Sequence, residues 1–484
     1  MSRLPVIHLF CLLLLSVTTV AGQTLLSEGP RNWWPGPVTW VDALGEVESR
    51  EIVPPLFFYR ERPGETVRGM RPLFYERVQH DADRSFQTWL FPLFHRTQHG
   101  PDQDWHYLLI GRTEIRRAGG RRVNNTAVFP FFYYQSTGVP EELRGGLFPV
   151  AGRVRGQFFH NEADWIMFPL YARLRSGSVD TYYTPFPFIR TRRGPDTHGF
   201  EVWPLFGART TTDLKEHRYV LWPLGFSQKE YSPKDGTLVR HARGFLPVYS
   251  HQDTPTLRDR NYLWPFFGIT ESLDPVYTEN RYFWPFLVRR TGEDRDRVRV
   301  APFYTHRKSP GMEQQWVLFP FFRTRITPEY NGLVQRQSQF LYFLLWDVEQ
   351  TDPLRPEATP ARKLHLWPFF SAWDSGAGQR QSQLFSPLEV FFPESRVVRE
   401  LYTPLFALYR HAEDESQRLR RRQFLFQLIT YERRKERVSF DVGPLFSFRK
   451  EPEGRGFGFL RGLYERSPQG QHRLFWFPFR AAEE

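Results

Sequence analysis

Residues 261–290, NYLWPFFGITESLDPVYTENRYFWPFLVRR, contain the pattern that decides the fold. Two similar apolar units, Leu263–Phe267 and Phe283–Leu287, flank a turn signal at Asp274-Pro275. The residues between them are rich in aromatic and β-branched types, which favour strands. Two strands joined by a short turn run antiparallel. We therefore predict a β-hairpin that brings Pro265 and Pro285 to the same height.

The same apolar unit recurs along the whole chain. One series of prolines runs from Pro55 to Pro478 with a mean spacing of about 38 residues, a period typical of repeat proteins. A second series, from Pro72 to Pro387, falls roughly halfway between. Polar turn signals such as Ser309-Pro310-Gly311 separate the units. The sequence predicts an all-β fold, an antiparallel meander of about 12 hairpin repeats.

In this interpretation the prolines and their aromatic neighbours form a belt across the middle of the strands. Proline has no N–H to donate to a strand ladder and normally avoids central strands. A bulge at each proline is one explanation, and the alternative is that each segment is two shorter strands broken at the proline. The belt residues are Pro92, Pro130, Pro169, Trp203, Pro204, Trp222, Pro223, Trp264, Pro265, Trp284, Pro285, Pro320, Trp367 and Pro368.

Three architectures could hold such a meander. A large β-barrel of the outer-membrane type has no exposed edges and accounts for the even meander, so we favour it. However, both faces of the strands are apolar near the belt, whereas a membrane barrel should alternate apolar and polar residues. A β-solenoid or layered sheet, and a propeller, would bury both faces and are the alternatives.

The N-terminus predicts export. Residues 1–22 have a short basic start, an apolar core and small residues before Gln23, which is typical of a signal peptide. The single cysteine, Cys11, lies inside that segment, so we expect a mature chain without disulfides. Residues 23–50, which include Trp33, Trp34 and Trp40, are expected to form a cap or plug, and residues 51–480 a single repeat domain.

The chain is basic, and arginine carries the charge. Lys and Arg together number 65 against 53 Asp and Glu, and only seven are lysine. Arginine pairs with phosphate and carboxylate, so membrane lipid or lipopolysaccharide is one expected partner. Solvated strand ends in an arginine-rich composition are the alternative explanation. A glycan or protein partner fits a soluble scaffold, and no nucleic-acid motif is present.

No motif for catalysis or for a cofactor stands out. The histidines lack ligand spacing, and neither a nucleophile elbow nor a phosphate-binding glycine loop occurs. We expect no enzyme activity, cofactor or metal. The aromatic residues either form the packing core or offer platforms for sugar rings.

The apolar units between Pro55 and Pro478 resemble those of uncharacterised bacterial repeat proteins with FPLY- or WPLF-type units. That resemblance implies a β-repeat envelope protein and brings no activity with it. Together these observations predict an exported outer-membrane β-barrel with a pore, export or structural role. The alternative is a soluble periplasmic or secreted scaffold.

Overall fold

The structure is a computed structural model that describes residues 31–42, 46–211, 214–328, 331–460, 463–475 and 477–479. These residues form 46 β-strands in an antiparallel meander, so the predicted all-β meander is confirmed. The signal peptide expected at residues 1–22 lies outside the described residues. The chain divides into two compact units, one from Met1–Asp81 with Glu357–Glu484 and the other from Ala82–Pro356.

The strands are short, mostly five to eight residues. The first unit begins with β1 (Arg31–Asn32), β2 (Pro37–Val41), β3 (Val47–Ile52), β4 (Phe57–Arg62), β5 (Glu65–Met70) and β6 (Phe74–Gln79). Of residues 23–50, expected to form a cap or plug, the structure describes 31–42 and 46–50. This part contains β1, β2 and the beginning of β3, and β2 pairs with β3.

The second unit contains the longest uninterrupted part of the meander. Its strands are β7 (Arg84–Trp89), β8 (Phe94–His99), β9 (Asp102–Tyr107), β10 (Gly111–Ala118), β11 (Arg121–Val128), β12 (Phe132–Ser136), β13 (Arg144–Leu147), β14 (Ala151–Arg155), β15 (Glu162–Ile166), β16 (Tyr171–Ser176), β17 (Val179–Tyr183), β18 (Ile189–Arg193), β19 (Thr197–Val202), β20 (Phe206–Thr211), β21 (Lys215–Val220), β22 (Gly225–Tyr231), β23 (Leu238–Phe245), β24 (Tyr249–Asp253), β25 (Leu257–Tyr262), β26 (Phe267–Leu273), β27 (Val276–Tyr282), β28 (Leu287–Gly292), β29 (Arg297–Val300), β30 (Tyr304–Ser309), β31 (Met312–Val317), β32 (Phe322–Pro328), β33 (Val334–Phe340) and β34 (Leu345–Thr351). A short 3-10 helix, Pro140–Glu142, connects β12 to β13.

The first unit continues after the second. Its later strands are β35 (Ala361–Leu366), β36 (Phe370–Asp374), β37 (Gln379–Leu384), β38 (Tyr409–Asp414), β39 (Leu419–Phe424), β40 (Ile429–Arg434), β41 (Arg437–Val442), β42 (Phe446–Glu451), β43 (Gly454–Phe459), β44 (Tyr464–Arg466), β45 (His472–Leu474) and β46 (Phe477–Phe479). Between β37 and β38 the chain forms two 3-10 helices, Glu389–Phe391 and Thr403–Phe406, and a π-helix, Val398–Tyr402. None of the described helices is long and apolar enough to cross a membrane.

Each repeat contains four strands rather than the two of the predicted hairpin. The stretch from Pro265 to Pro285 shows why, because β26 and β27 lie between the prolines and the polar turn at Asp274-Pro275 separates them. The prolines occupy turns, where no ladder hydrogen bond needs an N–H. The alternative of two shorter strands per segment is therefore the one that the structure adopts.

The expectation of a belt across the middle of the strands is wrong. All fourteen residues of that belt lie in turns, at one end of the strands of their own unit. Twelve belong to the second unit, namely Pro92, Pro130, Pro169, Trp203, Pro204, Trp222, Pro223, Trp264, Pro265, Trp284, Pro285 and Pro320, and two to the first, Trp367 and Pro368. The glycine-rich and aspartate-rich turns lie at the opposite edge. We call the row of proline-containing apolar turns the apolar edge, and the row of glycine-rich and aspartate-rich turns the polar edge.

Strand pairing does not close the meander into the expected barrel. Among the described strands, β1 pairs with β2 and β46 with β45, and no ladder joins β1 to β46. The principal contacts of the second unit also run between strands adjacent in sequence, with β12 against β14 as the exception.

Charged side chains on the sheet find partners on neighbouring strands. Arg290 on β28 binds Glu279 on β27 at 2.8 Å, and Arg173 on β16 binds Asp164 on β15 at 3.0 Å. Pairs of opposite charge on neighbouring strands stabilise a sheet. Part of the arginine excess is used in this way.

Candidate functional site: the apolar edge

Several turns of the apolar edge share one hydrogen-bonded geometry. In the turn Leu263–Phe266, the Phe266 N–H donates to the Leu263 carbonyl at 3.0 Å, and the Trp264–Pro265 peptide bond is cis. A cis-proline in the third position defines a type VI turn. Leu221–Leu224, Phe283–Phe286 and Leu318–Phe321 close in the same way at 2.7, 3.0 and 2.8 Å.

Neighbouring turns are also bonded to one another. The Trp264 N–H donates to the Pro247 carbonyl at 2.6 Å, the Trp222 N–H to Pro204 at 2.7 Å, and the Phe319 N–H to Pro302 at 2.8 Å. The backbone hydrogen bonds between neighbouring strands therefore continue into these turns and connect each turn to the next.

On one face of the sheet, large aromatic side chains next to the edge are covered by the turns. Trp165, Tyr219 and Trp316 belong to one row of that face, because the register pairs them stepwise through the intervening strands. All three are buried. The ring centroid of Phe319 lies 5.1 Å from that of Trp316, and Trp222 lies 5.8 Å from Tyr219. We call this row the packed row.

Small residues make room for the packed row. A Cβ added to Gly152 would overlap the indole of Trp165, and one added to Gly207 would overlap the ring of Tyr219. Glycine at these two positions lets the large ring lie flat over the neighbouring strand. The packing core expected from the aromatic residues is thus a line of local clusters along one face. One such cluster joins Tyr133, Val154, Ala163 and Trp165.

The rest of the apolar edge is exposed. Trp264 and Trp284 are 49% and 42% exposed, unlike the buried tryptophans of the packed row. The face opposite the packed row adds one exposed apolar residue per strand next to the turns, on most strands. In the part of the second unit from β19 to β32, the exposed residues of turns and strand ends include Trp203, Leu205, Phe206, Val220, Leu221, Leu224, Phe245, Val248, Tyr262, Leu263, Phe266, Phe267, Tyr282, Phe283, Phe286, Leu287, Val300, Phe303, Phe321 and Phe322.

This continuous apolar surface is the most unusual chemical feature of the second unit. Scattered exposed apolar residues are normal, but a large contiguous patch marks a place where a protein contacts another molecule or a membrane. The sequence indicates this surface, since the apolar units recur at one spacing. Because the prolines were interpreted as mid-strand residues, the exposure of the apolar units was not predicted.

The first unit contains a buried polar cluster around Glu400 of the π-helix. The hydroxyl of Tyr75 donates to Glu400 at 2.8 Å, Arg60 lies 3.4 Å away, and Arg396 binds both Glu400 and Glu65. Burial would raise the pKa of Glu400, but Arg60, Tyr75 and Arg396 outweigh it and hold that pKa below the ordinary value. Burial, the negative charge of Glu400 and the same hydrogen bond raise the pKa of Tyr75. Sequence reasoning did not find this cluster.

A polar cavity of about 1250 Å³ lies beside this cluster in the first unit. Cations such as Arg62, Lys363 and Arg399 line it together with carboxylates such as Glu46 and Asp414. The mixture of charges does not select a cation or an anion. Across the part of the chain that the structure describes, no three histidine, aspartate, glutamate or cysteine side chains gather as metal ligands.

No family model and no curated protein matches the chain.

Proposed function

We propose that the protein is an exported component of the bacterial envelope that attaches to a membrane through its apolar edge. The single observation that carries the proposal is the continuous exposed apolar surface of turns such as Leu263–Phe266 and Phe283–Phe286. Exposing so much apolar area to water is unfavourable by about 25 cal/mol per Å². A lipid leaflet removes that cost without requiring a partner of matching shape.

The dimensions of the edge suit insertion to a shallow depth. A turn and the first residue of each flanking strand reach roughly 5–10 Å, the depth at which interfacial elements insert into the headgroup and acyl boundary. The exposed tryptophans Trp203, Trp222, Trp264 and Trp284 fit this zone, since tryptophan favours membrane interfaces.

A transmembrane pore, expected from the sequence, is less well supported. A six-residue strand spans about 20 Å, less than the apolar band of about 25 Å around membrane barrels. The middle of the strands also carries charge on both faces, as Asp259 and Arg260 on β25 illustrate. Placing either face of β25 in hydrocarbon would bury such a charge, so we favour edge-on attachment. The outer membrane remains the compartment that we propose, with the periplasm as alternative.

A soluble scaffold that binds a glycan or a protein is the second candidate. It is favoured by the polar cavity of the first unit, where Trp373 lines the wall together with His365 and Gln381. The indole of tryptophan offers a large apolar ring face to a sugar ring, and the neighbouring polar groups can form hydrogen bonds with its hydroxyls.

Vesicle flotation tests the first proposal. We expect the purified full chain to float with phosphatidylcholine vesicles. In a variant with Leu263→Ser, Phe283→Ser and Phe303→Ser, a larger fraction of the protein should remain unbound in the soluble fraction. The three side chains are 56%, 54% and 62% exposed, so the variant should keep its circular dichroism spectrum. Failure of the wild-type chain to float with any vesicle would remove the proposal and favour the scaffold.

A further inference from the structure

One face of the second unit carries a row of basic side chains beside the apolar edge. Arg218, Arg243, Arg260 and Arg289 lie at the same height, because the register links them stepwise across β21 to β28. The row also includes His251 on β24 and continues to His306 on β30. We call these six residues the arginine row.

The arginine row contains no carboxylate. The residues at the same height on the other strands between β21 and β30 are Ser227, Ile269, Asn280 and Val298. Acidic groups on this face, such as Glu216, Asp253 and Glu271, lie one row further from the apolar edge.

The arginines remain accessible. Arg218, Arg243, Arg260 and Arg289 are all exposed. Arg218 is 3.7 Å from Glu216, and the Arg243 Nε donates to His251 at 3.0 Å. Arg260 and Arg289 form no ion pair with the described residues. His251 lies 3.6 Å from Asp253, and His306 lies 3.0 Å from Glu313. The positive charge that the row keeps available to a ligand is therefore that of its arginines.

The height of the row is fixed relative to the exposed apolar residues. Val220, Phe245, Tyr262 and Leu287 are each two positions from one of the four arginines, on the same face and next to the turns. Two strand residues span about 7 Å. A surface that approaches from the turns thus meets the apolar side chains first and the guanidinium groups about 7 Å further along the strands.

We propose that the arginine row binds the phosphate groups of anionic lipids while the apolar edge is inserted in the same leaflet; this rests on the membrane attachment proposed above. In a leaflet the acyl chains lie deeper and the phosphates lie nearer to water. On this face the apolar residues lie next to the turns, and the arginines lie further from them, so the two orders match. Guanidinium groups bind phosphate through two parallel hydrogen bonds, and long arginine side chains can reach from an apolar boundary to the headgroups. A protein partner would have to repeat this two-level pattern across many strands, whereas a lipid leaflet provides it everywhere.

A matched pair of variants tests the proposal. Arg260→Gln with Arg289→Gln removes two charges from the arginine row, and Lys229→Gln with Arg258→Gln removes two charges from the same face one row further from the edge. The probes are vesicles of phosphatidylcholine alone and of phosphatidylcholine mixed with phosphatidylglycerol. Each basic residue near an anionic surface adds a several-fold gain in binding, and the gain falls off with distance.

We expect the wild-type chain to bind the mixed vesicles more tightly than the neutral ones. The arginine-row variant should lose about tenfold on mixed vesicles and little on neutral ones, and the control variant less than about threefold. Replacing the same two arginines by lysine should preserve the preference, which separates loss of charge from loss of folding.

Three results would overturn the proposal. Equal losses in both glutamine variants would assign the preference to the overall charge rather than to the row. Equal binding of the wild-type chain to both vesicle types would reject the anionic headgroup while leaving membrane attachment intact. A chain that forms a stable dimer and floats with no vesicle would overturn both proposals, because the apolar edge would then be covered by a second copy.

Discussion

The hydroxyl of Tyr75 donates a hydrogen bond of 2.8 Å to a carboxylate oxygen of Glu400, although the two residues lie 325 positions apart in the chain. This bond connects β6 to the π-helix between β37 and β38. Together with the ion pairs Arg60–Glu400 and Arg396–Glu65, it binds the early and late parts of the first unit to each other.

Tyr75→Phe should destabilise the chain by roughly 1.5–3 kcal/mol, because a buried hydrogen bond to a charged group is lost and a carboxylate oxygen is left without a donor. Tyr59→Phe is the control, since Tyr59 donates to Glu61 at 2.8 Å in an exposed position. Urea denaturation should show a clear loss for the first variant and almost none for the second. Equal losses would mean that the Glu400 cluster does not stabilise the unit.

The stability of the first unit should fall in acid partly through Glu400. Its folded pKa lies below the ordinary value of 4.5, so the stabilisation is present above the unfolded pKa and is lost as the pH falls through the folded one. Glu400→Gln should therefore be less stable than the wild type near neutral pH, and the difference should shrink below about pH 4.5. Unfolding of both proteins across this pH range measures the gap, and a gap that widened in acid would contradict the assignment.

Gly152→Ala should be destabilising by about 1–3 kcal/mol, because the new methyl group overlaps the buried indole of Trp165. Gly225→Ala is a suitable control, since the only atom near its added methyl is the Val220 carbonyl oxygen at 3.4 Å. Thermal unfolding should separate the two variants. Similar melting temperatures would show that the packed row is loosely held.

Trp316→Ala should cost roughly 3–5 kcal/mol, since Trp316 is 8% exposed and packs against Phe319 and Tyr342 with ring centroids 5.1 Å away. Trp284 is 42% exposed at the apolar edge. Trp284→Ala should leave stability almost unchanged and weaken vesicle binding instead. Measuring both properties in both variants tests the division of the tryptophans into packed and exposed sets.

Much of the local structure could be predicted from the sequence. The turn at Asp274-Pro275 and the strand residues on either side of it lie where the turn signal and the β-branched residues indicate. The interpretation of Pro265 and Pro285 as mid-strand residues was wrong, although the missing N–H of proline already argued against it. About ten residues separate each proline from the polar turn, enough for only one short strand.

The Glu400 cluster could not have been predicted in this way. Glu65, Tyr75 and Glu400 come from remote parts of the chain, and no periodic pattern links them. Their meeting depends on how strands far apart in sequence pack within one unit. The exposure of the apolar edge was hidden for a related reason, because composition alone does not distinguish an aromatic ring under a turn from one pointing into solvent.

Strands of the second unit pair almost entirely with strands adjacent in sequence, so the length of this unit can change by whole repeats. Most strands in this unit pair with the strand before and the strand after, and each repeat returns the chain to the same edge. Adding or deleting one whole repeat would thus leave every remaining strand with its partners, its register and its turn type. Gene duplication could lengthen such a sheet stepwise, and each added repeat would extend the apolar surface by the same increment.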